Sequence, residues 1–270
     1  MQGASRAAAA AGQQALDAAL SGGADGARLS DELFAVAATV DGTASLRRAV
    51  TDPTRDAAAK GALVRQLLQG KVGEDTLDIV GTLAAQRWSA DRDLGDTLDD
   101  FAVQTLVGSA DGQAHAGRVE DELFRFERIV AANPALRDAV TDRRADPSVR
   151  RALVTKLLGG KAQPATITLA GRAAATPRGR RFDRVVESYL RVIATRREQL
   201  SATVTCAIDL DPAQRDRLAA ALTRIYGKPV HLNLVLDPGI VGGIRVQVGD
   251  EVVDGTILRR LDEARRHIGA

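Results

Sequence analysis

Three histidines, one cysteine and one glycine cluster are the residues best suited to chemistry in this chain of 270 residues. An imidazole serves as metal ligand or proton carrier only when a partner stands at the right spacing. His115, His231 and His267 are isolated, with no ligand neighbour at i+4 and no cysteine partner. They are expected to be surface or packing residues. Cys206 sits between Thr205 and Ala207 in an alternating stretch and is expected to be a small buried residue rather than a reactive thiol. The cluster Gly239-Ile240-Val241-Gly242-Gly243 invites a phosphate-loop reading, yet no Gly-Lys-Ser/Thr follows and it leads into a strand. Gly239 to Gly242 also fits the spacing of a KH clamp loop, but Ile-Val between strands is not the basic loop between helices which that clamp uses. No nucleophile, base or acid pair emerges, so the chain is read as a non-enzyme with no cofactor implied and no metal site.

Composition agrees with a binding or structural role. Apolar residues make up 45% and charged residues 27%, the balance of a globular chain long enough for two or three small domains. A net charge of +2 gives nucleic acid no electrostatic footing by itself. Aromatics are scarce at 3%, and the many alanines and leucines let helices approach closely. One cysteine excludes an internal disulfide and fits a reducing compartment. The alanine-rich segment 1–20 carries Arg6 and Asp17 and falls short of the roughly 20 apolar residues of a membrane span, so neither a signal peptide nor a transmembrane helix is expected.

The elements that must position any binding surface come from an internal repeat. Asp31-Glu32-Leu33-Phe34 returns as Asp121-Glu122-Leu123-Phe124, a shift of 90 residues. The same shift pairs Ala49-Val50-Thr51-Asp52 with Ala139-Val140-Thr141-Asp142, Leu67-Leu68 with Leu157-Leu158, and Gly70-Lys71 with Gly160-Lys161. Register kept over that length marks a duplicated structural unit. Leu63, Val64, Leu67 and Leu68 form an apolar stripe of helical period, expected to face a core, as do their counterparts. Asp146-Pro147 can open a helix, and Gly70 and Gly160 can close one. Phe182, Val185, Tyr189, Val192 and Ile193 predict the last helix of the second unit, over 183–199. Segment 91–107 aligns with both the end of the second unit and the start of the first, which predicts one helix serving two rigidly joined bundles.

After residue 200 the period changes. Residues 202–208 alternate and are β-branched, predicting a strand. Asp211-Pro212 opens a helix with Leu218, Leu222 and Ile225 as its apolar side, ending at Gly227. A second strand, then two more flanking the turn Gly249-Asp250, follow in 230–254. Ile257, Leu258, Leu261, Ala264 and Ile268 predict a final helix with Arg259, Arg260, Arg265 and Arg266 outside. The arginines of 178–181 and Arg196-Arg197 are read as solvated helix faces able to meet an acidic partner helix. Trp88 is assigned to the core, with a partner contact as the alternative. The fold class is therefore mainly α: two tandem six-helix-type bundles, at 1–107 and 96–200, and a small α+β domain with a β-hairpin at 201–270.

Asp237-Pro238-Gly239-Ile240-Val241-Gly242-Gly243-Ile244-Arg245-Val246-Gln247-Val248-Gly249-Asp250, with Asp254-Gly255-Thr256 and Arg260-Leu261, resembles the signature of the ATP synthase delta subunit family, whose mitochondrial relative is the oligomycin-sensitivity-conferring protein. The resemblance is close over the last seventy or so residues and looser over 96–200. The extra copy in front departs from the common form, and duplicated versions resemble those of actinobacteria. The resemblance implies a non-catalytic stator subunit: the helical bundle binds the N-terminal helix of an alpha subunit, and the C-terminal domain grips the end of the peripheral-stalk b subunit. It implies a peripheral place on the cytoplasmic face of the cell membrane, reached through the stalk, and no nucleic acid. The motif residues are read as structural, with Gly242 and Gly243 allowing close backbone packing, Gly249-Asp250 turning the hairpin and Asp254 capping the last helix. Two other readings stay open on the residues alone: a helical-repeat adaptor unrelated to ATP synthase, and nucleic-acid binding through the arginine-rich last helix.

Overall fold

A computed structural model of the chain describes residues 3–108, 112–198, 200–208, 210–228, 230–237, 239–240, 242–248 and 251–254. It divides into two compact units, Met1–Arg196 and Arg197–Ala270. The class is mainly α with a small α+β part at the C-terminal end.

The first unit holds eleven helices among the described residues: α1 (Gly3–Ser21), α2 (Gly26–Gly42), α3 (Ala44–Thr51), α4 (Ala57–Leu68), α5 (Glu74–Ala85), α6 (Asp93–Gly108), α7 (Gly112–Ala132), α8 (Pro134–Thr141), α9 (Pro147–Leu158), α10 (Pro164–Ala175) and α11 (Phe182–Glu198). The helices α3, α4 and α5 recur as α8, α9 and α10, each displaced by 90 residues. The stops are local chemistry. Asp56 caps α4 by accepting from Ala59 N at 2.7 Å, and Asp146 caps α9 by accepting from Ser148 N at 2.8 Å with Pro147 in the first turn. Both helices run out into a glycine with positive φ, 72° at Gly70 and 71° at Gly160, a conformation that costs an L-residue roughly 1–2 kcal/mol.

One continuous core runs from Ala8 of α1 to Ile193 of α11. Its centre is α6, in which Leu94, Leu98, Phe101, Ala102, Val103 and Val107 are all buried. A helix with buried residues on every side belongs in the middle of a bundle, and α6 packs on α1 and α2 from the first copy and on α7 and α10 from the second. The stripe on α4 is only partly inside. Val64 is 4% exposed and Leu63 and Leu68 pack against the core, but Leu67 is 36% exposed and borders a groove. Trp88 is buried and donates its indole N–H to Leu83 O at 2.9 Å.

The second unit carries a four-stranded sheet in the order β2-β1-β3-β4, with β1 at Leu200–Cys206, β2 at Val230–Leu236, β3 at Ile244–Val248 and β4 at Glu251–Asp254. β1 and β2 are parallel, joined through α12 (Pro212–Tyr226), while β1–β3 and β3–β4 are antiparallel. Asp211 and Gln214 close a capping box at the start of α12. The strand expected at 202–208 lies two residues earlier, because both neighbours of β1 end opposite Cys206 and Asp237 N then bonds to Cys206 O at 2.9 Å. Ile208, past that end, is 80% exposed. Ile225 on α12 is likewise exposed, whereas Leu222 packs with Ala202, Val204, Val230, Val246 and Val248 in the core of this unit.

Candidate functional site

The repeat builds the same clamp around one helix in each copy. On α2, Glu32 Oε2 accepts from Gly73 N at 2.8 Å and Thr76 Oγ1 at 2.5 Å, at the start of α5. On α7, Glu122 Oε2 accepts from Gln163 N at 2.8 Å and Thr166 Oγ1 at 2.6 Å, at the start of α10. A carboxylate there satisfies free N–H groups and lies at the positive end of the helix dipole. Burial works against the charge on Glu32, but Thr76, Arg28 and Gly73 outweigh it and hold the carboxyl below its ordinary value. The far ends are met by cations: Lys60 Nζ donates to Gln86 O at 2.6 Å just past α5, and Arg150 donates to Ala175 O at 3.1 Å at the end of α10. Each of α5 and α10 is thus gripped at both ends by charge opposite to its own.

Each clamp leaves a groove over the faces of its helices. In the first copy it lies between α2, α3, α4 and α5, is about 340 Å³, and is lined by Val36, Val40, Val50, Val64, Leu67 and Val72, with Lys71 as its one charged residue. In the second it lies over α7 to α10 and the start of α11 and is about 390 Å³. Its apolar floor is Val130, Val140, Ala173, Ala174 and Phe182, but its walls carry Arg137, Arg143, Arg150, Arg180 and Arg181 against Glu127 and Asp183.

Between the copies lies a buried ion cluster. Arg178 reaches Asp41 of α2, Asp96 Oδ1 at 2.8 Å and Asp99 Oδ2 at 3.4 Å on α6, with only 7% of its side chain exposed. Arg180 adds a contact to Asp96 at 2.5 Å. Arg172 stacks 3.7 Å over the ring of Phe34 and donates to Phe34 O at 3.3 Å, a cation–π contact from the second copy to the first. Burial works against the Arg178 charge, but Asp41, Asp99 and Asp96 together hold it above its ordinary value. Burial pushes Asp99 up, and pushes Asp100 up to about 7 with help from Asp99 and Asp96. The reading of 178–181 as a solvated helix face is therefore wrong for Arg178. It stands in the turn before α11, at positive φ, and is interior.

These residues escaped the sequence reading because their partners lie 82 and 137 positions away. A usable signal existed where the copies disagree: Arg178 stands at the repeat position of Trp88, and Asp99 at that of Tyr189.

Of the described motif residues, Asp237, Gly242, Gly243 and Asp254 lie at one end of the sheet. Asp237 Oδ1 accepts from Gly239 N at 2.8 Å and Asp237 O from Ile240 N at 3.1 Å, a tight turn. Gly242 and Gly243 follow at φ 67° and 81° and lead into β3, consistent with backbone geometry that demands glycine. Asp254 pairs with Arg245 in the β3–β4 register. Gly249, Asp250, Gly255, Thr256, Arg260 and Leu261, with the expected last helix and His267, lie outside the described residues. Cys206 is buried at 2% exposure. His115 is on α7 and His231 in β2, and among the described residues no group of three or more His, Cys, Asp or Glu side chains is placed to hold a metal ion. Nor is any described helix long and apolar enough to cross a membrane.

Comparison with known proteins places these features. The family model for the ATP synthase delta (OSCP) subunit matches residues 103–268, from α6 through the second copy and the C-terminal unit. The ATP synthase subunit delta of Kineococcus radiotolerans is 49% identical over 267 residues, 98% of this chain and 97% of that protein. That of Streptomyces avermitilis is 46% identical over 269 residues, covering 99% and 98%, and that of Thermobifida fusca is 44% identical over 242 residues, 90% of each. Such coverage takes in the first copy as well as the second.

Proposed function

The chain belongs to the ATP synthase delta (OSCP) family, and from that we propose that it is a stator subunit of a proton-translocating ATP synthase, tying the catalytic head to the peripheral stalk. Its helical unit takes the N-terminal helix of an alpha subunit. Its C-terminal unit takes the end of subunit b. It carries no catalytic site of its own, and its association with the membrane is peripheral and indirect. The reading of an adaptor unrelated to ATP synthase falls with the family membership.

The observation that carries this reading is the first-copy groove, apolar over Val36, Val40, Val64 and Leu67 and nearly free of charge. Grooves of that kind hold the apolar face of an amphipathic helix through anchors at i, i+3, i+4 and i+7. A rotating shaft loads the head with torque, and a clamp that resists it gains from broad apolar contacts rather than from chemistry.

Calorimetric titration of the whole protein with two synthetic peptides, the alpha-subunit N-terminal helix and the C-terminal end of subunit b from the same organism, tests it. Both peptides are expected to bind, with the alpha peptide lost in Leu67→Glu and the b peptide unaffected. Binding of neither by folded protein would overturn the head-to-stalk role.

A further inference from the structure

We propose that the second-copy groove is a separate docking site for an acidic amphipathic helix, so that the helical unit holds two helices of different chemistry. This goes beyond the head-to-stalk reading, which needs one groove. The repeat supplies an internal control. In the first copy Arg47 is neutralised locally, donating to Asp91 Oδ2 at 3.1 Å and Asp41 O at 3.0 Å. Arg137 occupies the same repeat position, but the position of Asp91 is now Arg181, so an acid has been exchanged for a base. Pro53 has become Arg143 and Ala90 has become Arg180. The same scaffold has been recharged along one wall.

The wall is not saturated from within. Arg180 is held by Asp96 and Arg181 by Asp183. Arg150, only 6% exposed, spends one nitrogen on Ala175 O and leaves its buried Nε without a partner. Among the described residues no carboxylate pairs with Arg150, Arg137 or Arg143. A buried cationic donor left open is costly unless an acceptor arrives. Arginine is also the side chain that reads carboxylates with two parallel hydrogen bonds. Below the arginines the floor of Val130, Val140, Ala173, Ala174 and Phe182 is apolar, and about 390 Å³ lies within the range of roughly 300–1,000 Å³ typical of binding clefts. Apolar floor and basic wall together match a helix with one apolar face bordered by Asp or Glu. A free inorganic anion would use the wall alone.

Two designed helical peptides with the same Leu/Ala face and either Glu or Lys on the other serve as probes, with tripolyphosphate as a plain anion, read by fluorescence anisotropy and competition on the full chain. The Glu peptide is expected to bind about tenfold or more tighter than the Lys peptide, with the gap closing as salt screens the wall. The exposed pair Arg137→Glu with Arg143→Glu should reverse that preference, and Leu67→Glu should leave it intact. Equal binding of the two peptides, loss of binding in Leu67→Glu, or tripolyphosphate competing as strongly as the Glu peptide would each overturn the proposal. The probes contain no alpha- or b-subunit sequence, so failure of the head-to-stalk role would leave this result readable.

Discussion

Arg178 of the second copy points its guanidinium at Asp99, 3.4 Å away on the helix that both copies pack against. Asp41 and Asp96 complete the ring, so one cation faces three acids drawn from two helices, α2 and α6. Removing it strands Asp99, which is 4% exposed. Arg178→Met is expected to destabilise the protein by roughly 3–5 kcal/mol, the usual consequence of breaking a buried pair from one side. The control Arg181→Met, with its side chain 80% exposed, should cost close to nothing. Urea unfolding of both variants checks this; equal losses would mean the cluster is not holding the copies together.

The same cluster sets a pH dependence. Asp100 rises from an ordinary 3.8 to about 7, so the folded protein holds that proton more tightly than the unfolded chain. The stability this contributes is fully present below the ordinary value and is lost as pH rises through about 7. Asp99 is raised too and acts in the same direction, while the lowered carboxyls of Glu32, Asp52 and Asp146 lose their contribution only below their ordinary values of 4.5, 3.8 and 3.8. Melting temperature is therefore expected to fall from about pH 5 to about pH 8, and Asp100→Asn to flatten most of that fall. An unchanged slope in the variant would place the proton on another group.

Glu32 and Glu122 make the same pair of bonds one repeat apart, each holding the start of a helix. Glu32→Ala and Glu122→Ala should each cost about 1–2 kcal/mol, the range for a lost helix cap. Guanidinium titrations of the two single variants should give similar losses, and their sum in the double variant, because the sites do not touch. A large loss at one and none at the other would show that the copies have stopped being equivalent there.

In the C-terminal unit, Gly243 at φ 81° enters β3 in a conformation closed to β-branched residues. Gly243→Val is expected to unfold the sheet and, with it, binding of the b-subunit peptide, while the helical unit keeps its circular dichroism signal. Gly243→Ala should fall between, losing roughly 1–2 kcal/mol. A folded Gly243→Val protein that still binds the stalk peptide would count against a structural role for the glycine pair.

Much of the fold is legible in the residues because its determinants are local. Asp146-Pro147, Gly70 and Gly160 set helix ends through their own backbones, and the alternation in 244–254 sets a hairpin. The candidate sites are legible only in part. The motif at Asp237, Gly242 and Gly243 announces itself by composition, but the grooves arise from how four helices meet, and no spacing along one helix reveals them. Phe34 and Phe124 show the limit most directly. They occupy one position of the same tetrapeptide, yet Phe34 is fully buried under Arg172 while Phe124 is 54% exposed, because only the first copy has a second copy packed over it.

The place of α6 has a mechanical corollary. Two bundles joined by a peptide linker would bend at the joint, whatever the strength of each. Here the wall of one bundle is also the wall of the next, as adjoining cells share a partition. The repeat is accordingly five helices long rather than six, and its core has no seam. A sideways load on one copy must deform packed side chains before the other copy can lag behind it. A bundle added by this route brings no hinge with it.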